Sequence, residues 1–266
     1  MIRRHWLILP FAYTVVTRLR SVGGVLDHLT RDVAIPLIPA VALFGQNGSL
    51  AVVLWLGFAS LYEVGYLLND EPPSAVGEDG RDRLDGEAVP WGLAVGLRLV
   101  VWASAVWWAI SASGWWVGMT YVVVSALVVG TLLVHAFLAS HTPTVRFFSF
   151  ALLSLFKYAP FLVPLIGWEH AMPYLGSIFL MYGFPRSVHY VMRKMLPSER
   201  SAEVDRFELL SHGLGLFPAS VIVAPDLLAW PDQGWTAPAL LWALYLSAWV
   251  AALVSRRDRS AVVLEL

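Results

Sequence analysis

The chain has 266 residues, a mean hydropathy of +0.66, 58% hydrophobic but only 14% charged side chains, and a formal net charge of −1. So apolar a composition excludes an ordinary soluble domain and points to an integral membrane protein. The near-neutral balance gives no basis for nucleic-acid binding, and the absence of Cys excludes disulfides and thiolate metal sites.

The first element is the run from Trp6 to Val16, 11 residues between Arg3-Arg4 and Arg18. It is too short to span and has no small-residue cleavage site after it, so residues 1–24 are expected to hold an interfacial amphipathic segment rather than a span or signal peptide. Seven stretches of about 20 mainly apolar residues follow, long enough to cross roughly 30 Å of hydrocarbon. They lie near 50–68, 91–111, 115–135, 147–167, 172–192, 207–228 and 236–255. An eighth, 33–44, is short and must borrow from 25–32, which holds Asp27, His28, Arg31 and Asp32. The expected fold is therefore all-α, a polytopic transmembrane helical bundle of about eight spans in one domain, with the bundle over 25–255 and a tail over 256–266.

Basic residues accumulate in short cytoplasmic loops. With the N-terminus inside, the outer connections 45–49, 112–114, 168–171 and 229–235 contain no Lys or Arg, whereas the inner ones hold Arg81, Arg83, Arg146, Arg193, Lys194, Arg200 and Arg206. Eight crossings with both termini cytoplasmic, in the cell (inner) membrane, fit this pattern.

The acids are clustered on that inner side. Seven lie between 70 and 87 (Asp70, Glu71, Glu78, Asp79, Asp82, Asp85, Glu87) and four between 199 and 208 (Glu199, Glu203, Asp205, Glu208), with four expected spans between the clusters. Crowded carboxylates repel one another, and hard divalent cations such as Mg²⁺ relieve the repulsion by taking oxygen ligands together with substrate phosphates. Two such loops at a membrane surface suit a Mg²⁺-bound diphosphate whose tail lies among the helices; the alternative is that they are simply solvated. Glu63, Tyr66 and Asp70 share one helical face at i, i+3 and i+7, and a carboxyl at position 63 is inside the apolar run, where it is expected to face a cavity or a packing partner. Arg186, His189, Tyr190 and Arg193 form a second polar face, while Lys157 sits near the middle of the span 147–167, in SLFKYAPF, and Arg146 opens that span. Such cations suit the negative charge that develops on a leaving diphosphate, although Arg146 and Arg193 are also placed to reach lipid headgroups. Trp107, Trp108, Trp115 and Trp116 read as an interfacial belt; Tyr62, Tyr66, Tyr158 and Tyr190 lie near the polar groups, where their faces suit a carbocation.

With GYLLND ending one span, then EDGRD and GEAVPWG, then ERSAEVDRF four spans later, the chain over about 25–255 resembles the UbiA superfamily of intramembrane prenyltransferases. In this sequence EPPSAVG separates Asp70 from Glu78 and Asp79, and the second acidic stretch is Glu-rich. The resemblance implies ionisation of an isoprenyl diphosphate, with Mg²⁺ held by Asp70, Glu78 and Asp79 on one side and Glu199, Glu203 and Asp205 on the other. Asn69, Arg83, Arg146, Arg186, His189, Tyr190, Arg193 and Lys194 would bind the diphosphate, and Asp70, Glu63, Lys157 and Tyr66 would serve the chemistry, Glu63 as a base. The acceptor would be a lipid or aromatic compound. A terpene cyclase that needs no acceptor and a silent isoprenoid- or lipid-binding relative are the competing expectations. No HExxH motif is present, and the 7 His are scattered rather than boxed.

Overall fold

The computed structural model describes residues 4–19, 22–42, 47–70, 90–138 and 143–195, together with Ala243, Leu246 and Val250. All regular structure among them is helical. A 3₁₀ turn (Arg4–Ile8) leads into α1 (Ala12–Arg18); α2 (Val22–His28) runs through a π-helical segment (Leu29–Ala34) into α3 (Ile35–Ala42). Then come α4 (Gly48–Asp70), α5 (Trp91–Ser113), α6 (Trp115–Leu138), α7 (Pro143–Phe156), α8 (Ala159–Ile178), a second π segment (Phe179–Gly183) and α9 (Phe184–Met195). Expected spans 207–228 and 236–255 lie outside the described residues, apart from the helical Ala243, Leu246 and Val250.

Among the described residues three helices, within α4, α5 and α6, are long and apolar enough to cross a membrane, and α7 with α8 makes a fourth if a pair bent by 68° counts as one span. Their outward sides carry Leu93, Leu97, Val100, Val123 and Leu127, and Trp107, Trp108, Trp115 and Trp116 are exposed around the α5–α6 turn. An apolar surface this continuous suits lipid rather than water.

Local chemistry sets the ends and breaks of these helices. Asn47 caps α4: its side-chain oxygen accepts the N–H groups of Ser49 (3.0 Å) and Leu50 (3.4 Å), which have no partner inside the helix. Gly114, at φ 92°, gives the tight turn from α5 to α6. Both π segments stand just before a proline, Pro36 and Pro185. A helical proline lacks the N–H owed to the carbonyl four residues back and its ring crowds that carbonyl, so the preceding turn widens. Pro160 ends α7 at Phe156 in the same way and opens α8 from its first turn.

The apolar stretch expected as two spans, 147–167 and 172–192, folds as two limbs. Gly167 breaks α8 with φ 74° and ψ 164°, and the chain doubles back there: α9 packs on α7, with Gly183 against Ser154. The turn falls where the connection 168–171 was expected, and Trp168 is exposed beside it. The short stretch 33–44 continues the helix of 25–32, since helix runs from Val22 through the π segment to Ala42.

The core lies between α3, α4, α5, α6, α7 and α8. Glycines bring the helices together where a side chain would not fit, a common device when helices pack in membranes. A Cβ on Gly57 would stand 2.4 Å from the Ala105 Cβ and 2.7 Å from the Tyr121 hydroxyl. The N-terminal segment, expected at the membrane interface, is split into the 3₁₀ turn and α1 and is docked on α4 and α5, with Leu7 and Tyr13 buried.

Candidate functional site

Among the described residues, three polar clusters are built into this frame. The first joins α4, α5 and the N-terminal segment. Glu63 accepts hydrogen bonds from the Phe11 and Thr14 main-chain N–H groups, both at 2.7 Å, and from Arg98 Nε and Nη2 at 3.1 and 2.8 Å. Phe11 precedes the first residue of α1, so Glu63 caps that helix from another part of the chain. Arg98 also donates to the carbonyls of Leu7, Ile8, Leu9 and Ala94. Both side chains are sealed, at 0% and 1% exposure. A buried ion pair persists only when its remaining donors and acceptors are satisfied, and this one is satisfied by main chain. Arg98 escaped the sequence reading because α5 is otherwise apolar; a lone arginine in such a run was itself the signal that a buried carboxylate had to be nearby.

The second cluster lies near the middle of α4. Asp32, in the first π segment, receives Lys157 Nζ at 2.5 Å and the Tyr158 hydroxyl at 3.1 Å on Oδ1, and His28 Nδ1 at 2.8 Å on Oδ2. Lys157 and Tyr158 occupy the break between α7 and α8, and the ammonium lies 5.8 Å from the Tyr62 ring centroid and 5.3 Å from that of Tyr158. This explains how charges at 28–32 are tolerated next to an apolar stretch. Pro36 deprives the Asp32 carbonyl of its helical donor, and the Trp55 indole N–H supplies one at 2.7 Å. Pro39 does the same to the Ile35 carbonyl, which the Tyr174 hydroxyl satisfies.

The third cluster is at the Asp70 end of the bundle. α6 runs beside α4 in the same direction, Tyr121 against Gly57 and Leu132 against Gly65, so His135 stands level with the last turn of α4. The Ser149 hydroxyl donates to the Val145 carbonyl at 2.6 Å, so His135 must be the donor, through Nδ1–H, in its 2.8 Å bond to Ser149 Oγ. Tyr190 of α9 stacks on Phe150 at 4.6 Å between centroids, with the His135 ring packed beside both.

The expected site residues distribute as follows. Asn69 and Asp70 end α4, and the α9 stretch with Arg186, His189 and Tyr190 emerges at the same end of the bundle through the His135–Ser149 and Phe150–Tyr190 contacts. Arg146 opens α7, while Arg193 and Lys194 are near the end of α9. The side chains of Asn69, Asp70, Arg146, Arg193 and Lys194 lie outside what the structure describes, as do Arg83, Glu78, Asp79, Glu199, Glu203 and Asp205 altogether. Among the described residues no three His, Asp or Glu side chains come together in a way that would hold a metal ion. Tyr66 packs edge-on against Tyr62 at 5.2 Å and stacks with Tyr13 at 6.0 Å, which leaves Phe58, Tyr62, Tyr66 and Asp70 as a stripe at every fourth residue of α4. Glu63 and Lys157, expected at the chemistry, are each held in an ion pair. Neither a protein-family model, nor a curated protein, nor a solved structure matches this chain.

Proposed function

We propose that the protein is a UbiA-like intramembrane enzyme that ionises an isoprenyl diphosphate and transfers the prenyl group to a lipid or aromatic acceptor at the cytoplasmic side of the cell membrane. The observation that carries this reading is the shared end of the bundle: the Asn69-Asp70 terminus of α4 and the polar stripe Arg186–His189–Tyr190 of α9 emerge together. The donors assigned to a metal (Asp70, Glu78, Asp79, Glu199, Glu203 and Asp205) are all carboxylate oxygens, the chemistry a hard ion such as Mg²⁺ prefers. Bound there, Mg²⁺ would neutralise the diphosphate and favour its departure. The chain's own part is to bind and enclose. Arg186 and His189, with Arg193, Lys194, Arg146 and Arg83, supply positive or hydrogen-bonding groups at the anionic end. The Tyr66, Tyr62 and Phe58 stripe gives the apolar tail an aromatic wall that excludes water and tolerates developing positive charge.

The engagement of Glu63 with Arg98 and two main-chain N–H groups favours a second reading, a silent isoprenoid-binding relative, because it removes the expected base. Incubating the purified protein with Mg²⁺ and ten- to twenty-carbon isoprenyl diphosphates, with and without aromatic acceptors, separates the readings. Release of diphosphate that depends on acceptor and is lost in Asp70→Asn supports transfer. Acceptor-independent release with a cyclic hydrocarbon product indicates a cyclase, and binding without release indicates the silent relative.

A further inference from the structure

Among the described residues the ion pairs Glu63–Arg98 and Lys157–Asp32 differ in how completely they are sealed. Glu63–Arg98 is closed on every side, whereas in the second pair Lys157 retains 20% and Asp32 11% exposure, and His28, on the other carboxylate oxygen, 24%. The closed pair sits on two regular helices; the open one sits on a π segment and a helix break, irregularities that concentrate at functional sites. An ionisable pair inside an apolar bundle and partly accessible is a candidate ligand site. Among the described residues, the groups that meet the Asp32 carboxylate include His28 from its own helix and Lys157 and Tyr158 from the α7–α8 break, with the Tyr62 ring of α4 against the Lys157 ammonium.

We propose that Lys157 and Tyr158 form a binding site for the phosphate-type anion of an apolar-tailed ligand, and that Asp32 is its built-in occupant, displaced with the uptake of one proton. The carboxylate shows what the place accepts: one oxygen of Asp32 receives both the ammonium and the phenol, and an incoming phosphate oxygen inherits the same two donors. The Tyr62 and Tyr158 rings keep the ammonium partnered when Asp32 moves away. His28, donating Nδ1–H to Oδ2, keeps Asp32 anchored. As the contact between Nζ and Oδ1 opens, a proton from water bonds to Asp32 and cancels its charge; Lys157 keeps its three protons and pairs with the ligand anion. One negative charge is replaced by another, so the bundle never holds an unbalanced cation. The tail is required because the site is deep: residues 55–62 of α4, which flank it, begin and end at least about 10 Å from the nearer end of that helix at 1.5 Å per residue.

No Mg²⁺ and none of the acidic stretches takes part, so the test is made in EDTA and stands apart from the prenyl-transfer reading. Geranyl phosphate is titrated calorimetrically into the full chain in phosphatidylcholine nanodiscs, in two buffers of different ionisation heat. The expected result is binding with uptake of about one proton. Asp32→Asn should bind about tenfold more tightly with no linked proton, and Lys157→Met should not bind. Inorganic phosphate should not compete. Competition by phosphatidic acid would identify the anion as that of a membrane lipid, and its absence as that of a prenyl phosphate; both agree with the proposal. Wild-type binding without proton uptake, unchanged binding in Lys157→Met, or no binding in either wild type or Asp32→Asn overturns it. Should Asp32→Asn fail to fold, ¹⁵N-lysine spectra of the wild type decide: the Lys157 signal, identified by its loss in Lys157→Met, shifts on adding geranyl phosphate, and a stationary signal overturns the proposal.

Discussion

The Trp55 indole N–H meets the main-chain carbonyl of Asp32 at 2.7 Å, the carbonyl that Pro36 leaves without a helical donor. Tyr174 stands in the same relation to Ile35 and Pro39. Two prolines three residues apart thus fix which side chains must come from α4 and α8, and they tie the α2–α3 helix to both. Trp55→Phe and Tyr174→Phe each keep an aromatic ring but leave a carbonyl unpaired, so each should lower stability by about 1–3 kcal/mol. Thermal unfolding in detergent measures this. Restoring a helical donor with Pro36→Ala should make Trp55→Phe milder, which a simple loss of ring packing would not do.

Arg98 and Glu63 make a second testable coupling. Either one alone is a buried charge without its counterpart, so Arg98→Met or Glu63→Leu should cost about 3–5 kcal/mol, while the double variant should recover part of that loss. Because the pair also holds the main chain of residues 7–14, the single variants should expose the N-terminal segment to protease, and limited proteolysis of the folded fraction reads this directly.

Much of the helix plan was legible because apolar length is a strong signal: 50–68, 91–111 and 115–135 reappear within α4, α5 and α6. The turn at Gly167 was legible from the connection after it, which holds no Lys or Arg. Long-range pairing was not. Nothing in the local sequence says that Glu63 pairs with a residue 35 positions away, or that Asp32 meets Lys157 across 125. A hydrophobic pattern fixes which face of a helix is buried, while the partner of a buried charge depends on how helices are arranged. The prolines at 36, 39, 160 and 185 hold a local signal that went unused: the loss of a helical donor follows from the proline ring alone and not from the arrangement of the helices around it.

Gly57 tests how tightly α4 meets its neighbours. Gly57→Ala places a methyl group within 2.4 Å of the Ala105 Cβ and 2.7 Å of the Tyr121 hydroxyl, which donates to the Leu54 carbonyl at 3.0 Å. Neither neighbour is the free end of a flexible chain, so the helices must separate, at a cost of about 1–3 kcal/mol. Gly65→Ala meets the Leu132 side chain first, with Cδ2, Cδ1 and Cγ at 1.9, 2.4 and 2.6 Å, and a leucine can turn aside where the Ala105 Cβ cannot, so its cost should be the smaller. Unfolding midpoints of the two variants in one detergent give the comparison.

The proposed reaction makes its sharpest distinction between two carboxylates of α4 seven residues apart. Asp70 ends the helix beside the acidic stretch, and Asp70→Asn removes one charge from the proposed metal ligands; its diphosphate release should fall by about 100-fold or more at unchanged stability. Glu63→Gln keeps the shape of the side chain but removes its charge and turns one of its two acceptor oxygens into an NH₂ donor, which weakens its hold on Arg98 and α1, so the loss should appear in stability. The folded fraction, quantified by size exclusion before the assay, should then retain specific activity within about threefold, less than the effect of removing a positioned general base. A Glu63→Gln enzyme that is fully folded yet as inactive as Asp70→Asn would return Glu63 to the chemistry, and would mean that the Arg98 pair opens during turnover.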